Sequence, residues 1–205
     1  MSEKPTRRLP GRPKQADNKL SIQAAIIQTA SQLFMENGYD AVSLGQIGER
    51  CRVTKPTIYY HFASKPELFT IAMITMFQSI RQLTSSMLDS ADTLETGLIN
   101  LAEASLANPH AEVETMIKKA EPFLEYDQIQ QIRDAELKIH EVLAAHFRVA
   151  MDRQLLREDD PLFLAETFST LMLMGNREIP AQKYGSFREF AQRLVHIFLR
   201  GAASS

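Results

Sequence analysis

An all-α fold is predicted for this chain, and three observations predict it. Apolar residues recur at spacings of three and four, without sustained alternation. Glycine and proline are sparse, eight and nine in 205 residues, and the Asn37-Gly38 pair ends a helical pattern instead of joining two strand patterns. Hydroxyl residues that suit helix starts recur at short intervals, most visibly as Thr54-Lys55-Pro56-Thr57 and Ser64-Lys65-Pro66-Glu67. With 44% hydrophobic residues, the chain can bury a sizeable core, as one larger domain or two unequal ones.

The elements follow in order. Ile22, Ile26, Ala30, Leu33 and Phe34 share one face of a first helix, from about Ser21 to Asn37. Asn37-Gly38 supplies its left-handed stop. Ser43, with Gln46 three residues on, is a capping box between the staple residues Val42 and Ile47. It opens a short second helix that ends near Cys51. Thr54 caps a third helix, with Val53 and Ile58 as staple and Pro56 in the first turn, where a missing N–H costs nothing. Ser64 and Glu67 form another capping box, for a helix reaching about Leu88. Longer helices are expected near Thr93–Ala107, Ala111–Lys119, Asp127–Leu156, Pro161–Gly175 and Ser186–Arg200. In the third of these, Ile129, Ile132, Leu137, Ile139, Leu143 and Phe147 are expected to face inward.

Three capped starts so close together are helix–turn–helix architecture. The domains expected are a flexible basic arm over 1–18, a three-helix unit over 19–65, and a helical body over 66–205 joined to it by the long fourth helix. In the arm, "PGRPK" presents an arginine in an extended context that suits a narrow minor groove.

Composition excludes several classes. The single Cys51 rules out an intramolecular disulfide and a cysteine-based metal cluster, and points to a reducing compartment. No apolar run approaches 18 residues, and "MSEKPTRRLPGRPK" lacks the apolar core of a secretory signal. A soluble, cytoplasmic protein without membrane contact is expected. No nucleophile–base arrangement, phosphate loop or metal-spaced His/Glu set is present, so no enzyme, cofactor or metal site is expected. Glu158-Asp159-Asp160 reads as a helix-capping loop. The net charge of -2 hides an asymmetry: residues 1–62 carry nine Lys/Arg against five Asp/Glu, and residues 63–205 carry 14 against 20. A basic front on an acidic body suggests that the front meets a polyanion.

The third helix makes that polyanion concrete. At 100° per residue, Ile58 and Phe62 share the face that enters the small core. Pro56, Thr57 and Tyr60 then point the other way, with Tyr59 and His61 on the flanks. Lys55 and the free N–H groups gather at the same exposed end. Such a surface donates hydrogen bonds to phosphate and can reach base edges.

"IIQTASQLFMENGYDAVSLGQIGERC" followed by "VTKPTIYYHFASKPEL" resembles the DNA-binding domain of the TetR family of bacterial transcriptional repressors, over roughly residues 20–70. The resemblance lies in the spacing of Ala30, Leu33-Phe34, Gly38-Tyr39, Ile47, Val53-Thr54, Tyr59, His61-Phe62 and Lys65. It implies phosphate contacts from Ser43, Thr54, Tyr59, His61 and Lys65, and base-approaching positions at Lys55, Pro56, Thr57 and Tyr60. Gly48 matches the family's small residue. In the turn, Arg52 stands where the family often has glycine; a left-handed residue there costs about 1 kcal/mol, which a phosphate contact from Arg52 would offset. Pro56 replaces the commoner glycine.

For the body, the resemblance implies dimerisation and effector binding. Dimerisation also follows from physics, since one short helix reads few base pairs and two copies on a two-fold axis give specificity. Phe163, Leu171, Phe190, Leu194, Ile197 and Phe198, on the last two helices, are expected to form a four-helix interface with a second copy. Soft and aromatic residues suggest a cavity for a small apolar or aromatic effector: Met73, Met76, Phe77, Met116, Phe123, Tyr126, Phe147, Phe168 and Met172, with His140 as a polar handle. The expected partners are double-stranded DNA bearing a palindromic operator, a second copy of the chain and that effector. The expected function is a repressor that the effector releases from DNA. An activator or ungated regulator on the same DNA-binding domain, or less favourably a protein-binding adaptor, is the alternative.

Overall fold

The computed structural model describes residues 15–107, 113–172 and 185–202. Among them are nine α-helices: α1 Gln15–Ala41, α2 Leu44–Cys51, α3 Lys55–His61, α4 Lys65–Asp89, α5 Leu94–Ala107, α6 Val113–Ala120, α7 Tyr126–Asp152, α8 Pro161–Met172 and α9 Phe187–Ala202. A 3-10 turn, Glu121–Phe123, joins α6 to α7. No helix among the described residues is long and apolar enough to cross a membrane.

The start signals act largely as the sequence suggests. Ser43 Oγ accepts from Gln46 N at 3.2 Å while Gln46 Oε1 accepts from Ser43 N at 2.7 Å, the reciprocal box at the head of α2. At α4, Ser64 Oγ accepts from Glu67 N, but the Glu67 carboxylate reaches one residue further back and accepts from Ala63 N. Asp160 Oδ1 accepts from Leu162 N at 2.8 Å, so the acidic loop before α8 is a cap, and Glu158 pairs with Arg148.

Several boundaries differ from the expected ones. α1 starts at Gln15, so positions 15–18 of the expected arm are helical, while residues 1–14 lie outside the described residues. Gly38, at φ 80 and ψ 169, breaks α1 before Ala41 in a backbone region that only glycine enters readily. α7 ends at Asp152, short of Leu156. Leu137 is exposed, because the buried face of α7 runs through Ile132, Ala135, Leu143 and Phe147, and position 137 falls off that stripe. The predicted end of the helix near Gly175 lies outside the described residues.

Two apolar clusters organise the chain. The first joins Ile26, Ala30 and Phe34 of α1, Ile47 of α2, Ile58 of α3, Leu68 to Phe77 of α4, Met116 and Ile117 of α6, and Ile132 and Ala135 of α7. The second joins Leu88 at the far end of α4 to α5, the distal half of α7, α8 and α9. Both α4 and α7 run from the first cluster to the second, and they form the most extensive helix pair. Twenty-five residues of α4 span roughly 37 Å at 1.5 Å per residue. A shift at one end of α4 is therefore carried to the other.

Candidate nucleic-acid interface

The turn between α2 and α3 fixes the angle at which α3 leaves the body. Arg52 adopts the left-handed conformation, φ 57 and ψ 39. Its N–H donates to Glu49 O at 3.3 Å, and Val53 N donates to Gly48 O at 2.8 Å, the paired bonds of a helix stop normally built on glycine. A non-glycine residue there costs about 1 kcal/mol. Gly48 is required by the same turn: a Cβ at that position would lie 2.8 Å from Val53 O and 3.4 Å from Ile58 Cδ1.

α3 divides as its periodicity demands. Ile58 and Phe62 are buried, whereas Lys55, Pro56, Tyr59 and Tyr60 are exposed and Thr57 and His61 half-buried. Thr54 Oγ1 accepts from Thr57 N and lies 2.8 Å from Thr57 Oγ1. Tyr60 is 69% exposed. Its ring meets His61 edge-on at 5.2 Å, and Lys55 Nζ lies 5.9 Å from the centre of the Tyr59 ring.

Beside α3 runs a groove of about 510 Å³, lined by Asp40, Ser43, Gly45, Lys55, Tyr59, Ser64 and Lys65 among others. Two ammonium groups, two hydroxyls and a phenol thus converge with one carboxylate. Such a donor set suits the oxygens of a phosphodiester backbone. Lys65 Nζ rests 4.1 Å from the centre of the buried Tyr39 ring. Burial holds the Lys65 ammonium below its ordinary value, with the Asp40 charge pulling the other way. Burial likewise pushes the Tyr39 phenol and the Cys51 thiol up. The Cys51 thiol donates to Ile47 O at 2.7 Å.

Of the ten positions expected at DNA, Ser43, Lys55, Tyr59 and Lys65 line this groove, and none of the ten (with Arg52, Thr54, Pro56, Thr57, Tyr60 and His61) is buried. The sequence reading missed Asp40, Gly45 and Ser64 as groove residues. It treated Ser64 as a cap alone, although a capping hydroxyl keeps a proton to donate.

The expected effector residues separate. Met73, Phe77 and Met116 belong to the first cluster, and Phe147, Phe168 and Met172 to the second, so they do not line one common cavity. Phe147 and Phe168 pack against each other with ring centres 6.4 Å apart. Phe123 and Tyr126 are 55% and 73% exposed and belong to neither buried cluster. His140 is half-buried on α7, and Met76 packs at the margin of the first cluster. Of the residues expected at a dimer interface, Leu194 and Phe198 turn into the chain's own second cluster, with Phe198 packed on Phe147 and Phe168. Leu171 and Phe190 are partly buried beside that cluster. Phe163 and Ile197 remain 58% and 67% exposed. Helical geometry explains the division, since α9 can give only one stripe to the core.

A short helix projected from a left-handed turn, with a cation-lined groove at its side, defines a helix–turn–helix protein. The sequence profile described as bacterial regulatory proteins, tetR family, matches residues 26–70. The Tn10 TetC protein of Escherichia coli is 38% identical over 56 residues, covering 27% of this chain and 28% of TetC. The HTH-type transcriptional activator FasR of Mycolicibacterium smegmatis is 29% identical over 77 residues, 36% of this chain and 35% of FasR. The chain thus matches about a third or less of the length of these curated relatives. Beyond that segment the likeness is one of fold: the crystal structure of FadR from Bacillus subtilis in complex with stearoyl-CoA superposes with a TM-score of 0.70 at 13% identity, over 87% of this chain and 98% of that one. Residues 26–70 thus carry the DNA-binding segment of the tetR family.

Proposed function

We propose that this chain is a homodimeric, DNA-binding transcriptional repressor whose operator is a palindrome read by two copies of α3. The observation that carries the reading is the convergence of Lys55, Lys65, Ser43, Ser64 and Tyr59 on one groove beside the exposed face of α3. Phosphates in that groove would fix the register of the duplex, and Thr57, Tyr60 and the flanking Lys55 would approach base edges. The second copy is proposed to dock on α8 and α9 around Phe163 and Ile197, two of the large apolar side chains these helices leave exposed.

Release by a small apolar or aromatic effector is proposed to act through α4. That helix is rooted in both apolar clusters, so a ligand that spreads the body would tilt its far end and move Lys65 and α3 together. Half-sites lie about 34–36 Å apart, so a change of a few ångström in the separation of two α3 helices breaks the match. FadR was solved with an acyl-CoA, which supports a body of this shape opening to an apolar chain. Activation instead of repression is the second reading, favoured by the match to FasR.

The test is a binding titration on the DNA flanking the protein's own gene, at several salt concentrations. Wild type is expected to bind with an affinity that falls steeply with salt. Tyr60→Ala should weaken specific binding by about 5- to 100-fold, equivalent to roughly 1–3 kcal/mol, while thermal stability stays within about 0.5 kcal/mol. DNA binding that ignores both salt and Tyr60 would rule the reading out, and no specific DNA binding would favour a protein-binding adaptor.

A further inference from the structure

The Tyr39 ring is held from three directions. Phe34 lies near-parallel to it with ring centres 5.9 Å apart, and Phe69 meets it edge-on at 5.0 Å. Both are fully buried residues of the first cluster. The third neighbour is Phe123, stacked on Tyr39 at 5.4 Å and 29°. Phe123 sits in the 3-10 turn between α6 and α7, far along the chain from the helix–turn–helix unit, and more than half of its surface faces solvent. A ring so exposed gains little from burial, so its placement against Tyr39 calls for another account.

That 3-10 turn is itself fastened. Arg133 of α7 holds Glu114 of α6 through both terminal nitrogens, at 2.5 and 3.1 Å, reaches Glu121 of the turn at 3.4 Å, and bonds Glu136 at 3.0 Å. Arg133 thus ties α6, α7 and the turn that carries Phe123 together. On the other side of the contact, Tyr39 is the surface on which the Lys65 ammonium rests, at 4.1 Å.

We infer that Phe123 is a positioning residue of the DNA interface: its stack on Tyr39 sets the ring that aims Lys65 into the phosphate groove, so the α6–α7 corner controls one backbone contact. The inference rests on the reading of Lys65 as a phosphate ligand. It gives the body a route to the interface besides the tilt of α4.

The experiment is a double-mutant cycle between Phe123→Ala and Lys65→Met, read as the slope of log affinity against log salt on the DNA flanking the gene. Each phosphate contact contributes about 0.9 to that slope. Lys65→Met is expected to lower the slope by about 0.9 per protomer, and Phe123→Ala by a comparable amount. Phe123→Tyr, which keeps the stack, should restore the wild-type slope. In the Lys65→Met background, Phe123→Ala should change nothing further. A Phe123→Ala protein with the wild-type slope, or one whose loss of affinity is the same in both backgrounds, would overturn the inference. A Lys65→Met protein with an unaltered slope would overturn the underlying reading of Lys65, and the inference with it.

Discussion

Gly48→Ala is expected to destabilise the chain by about 1–3 kcal/mol, and Gly45→Ala, in the same helix, to be neutral or stabilising by up to about 1 kcal/mol. The two positions differ in what a methyl group would meet. At Gly45 the nearest atom is Ser43 Oγ at 3.7 Å, an ordinary contact. At Gly48 it is the Val53 carbonyl oxygen at 2.8 Å, a backbone atom tied down because Val53 N donates to Gly48 O. Relief requires moving the turn, and the turn sets α3. DNA affinity of Gly48→Ala should therefore fall at temperatures where the protein is still folded. Urea denaturation of both variants, with a DNA titration of each, reads both effects. Equal stabilities for the two alanines would show that the turn is not packed as described.

Phe34→Ala is expected to cost about 3–5 kcal/mol, the usual loss for a fully buried aromatic ring. Phe34 has no exposed surface and packs edge-on against Phe69 at 5.1 Å and nearly parallel to Tyr39. The loss should not be confined to the helix–turn–helix unit. The cluster that holds Phe34 also contains Met116 and Ile117 of α6 and Ile132 of α7, so the small unit and the near half of the body share one core. Thermal unfolding followed by circular dichroism should shift down by roughly 10 °C in one cooperative step. A separate early transition, with the rest of the chain melting as in wild type, would mean that the unit folds by itself and that α4 alone connects it to the body.

The all-α fold was legible because helix starts are written locally. A cap needs one hydroxyl and a partner three residues on, and the Ser43, Thr54 and Ser64 starts each placed a helix within a residue or two. The exposed face of α3 was legible for a similar reason, since Ile58 and Phe62 leave the ring only one orientation on a two-turn helix. Residues whose position depends on packing between distant segments were not. Phe123 was read as lining a cavity, yet its partner is Tyr39. Nothing within a few residues of either one encodes that meeting. The apolar residues of α9 posed the same difficulty. Leu194, Phe198 and Ile197 look alike in sequence, and only the placement of α5, α7 and α8 decides that the first two face inward.

Cys51 illustrates a local signal that resolves into structure. Its thiol donates to the Ile47 carbonyl of its own helix and fills space beside the first cluster.

The central claim is that α3, the head of α2 and the start of α4 together form the surface that meets DNA. The most direct test is amide hydrogen exchange with and without the DNA that flanks the gene, under conditions where a parallel titration shows the complex is formed. The account predicts added protection over residues 43–46, 54–61 and 64–67. A DNA complex that leaves those amides exchanging as they do in the free protein would contradict it.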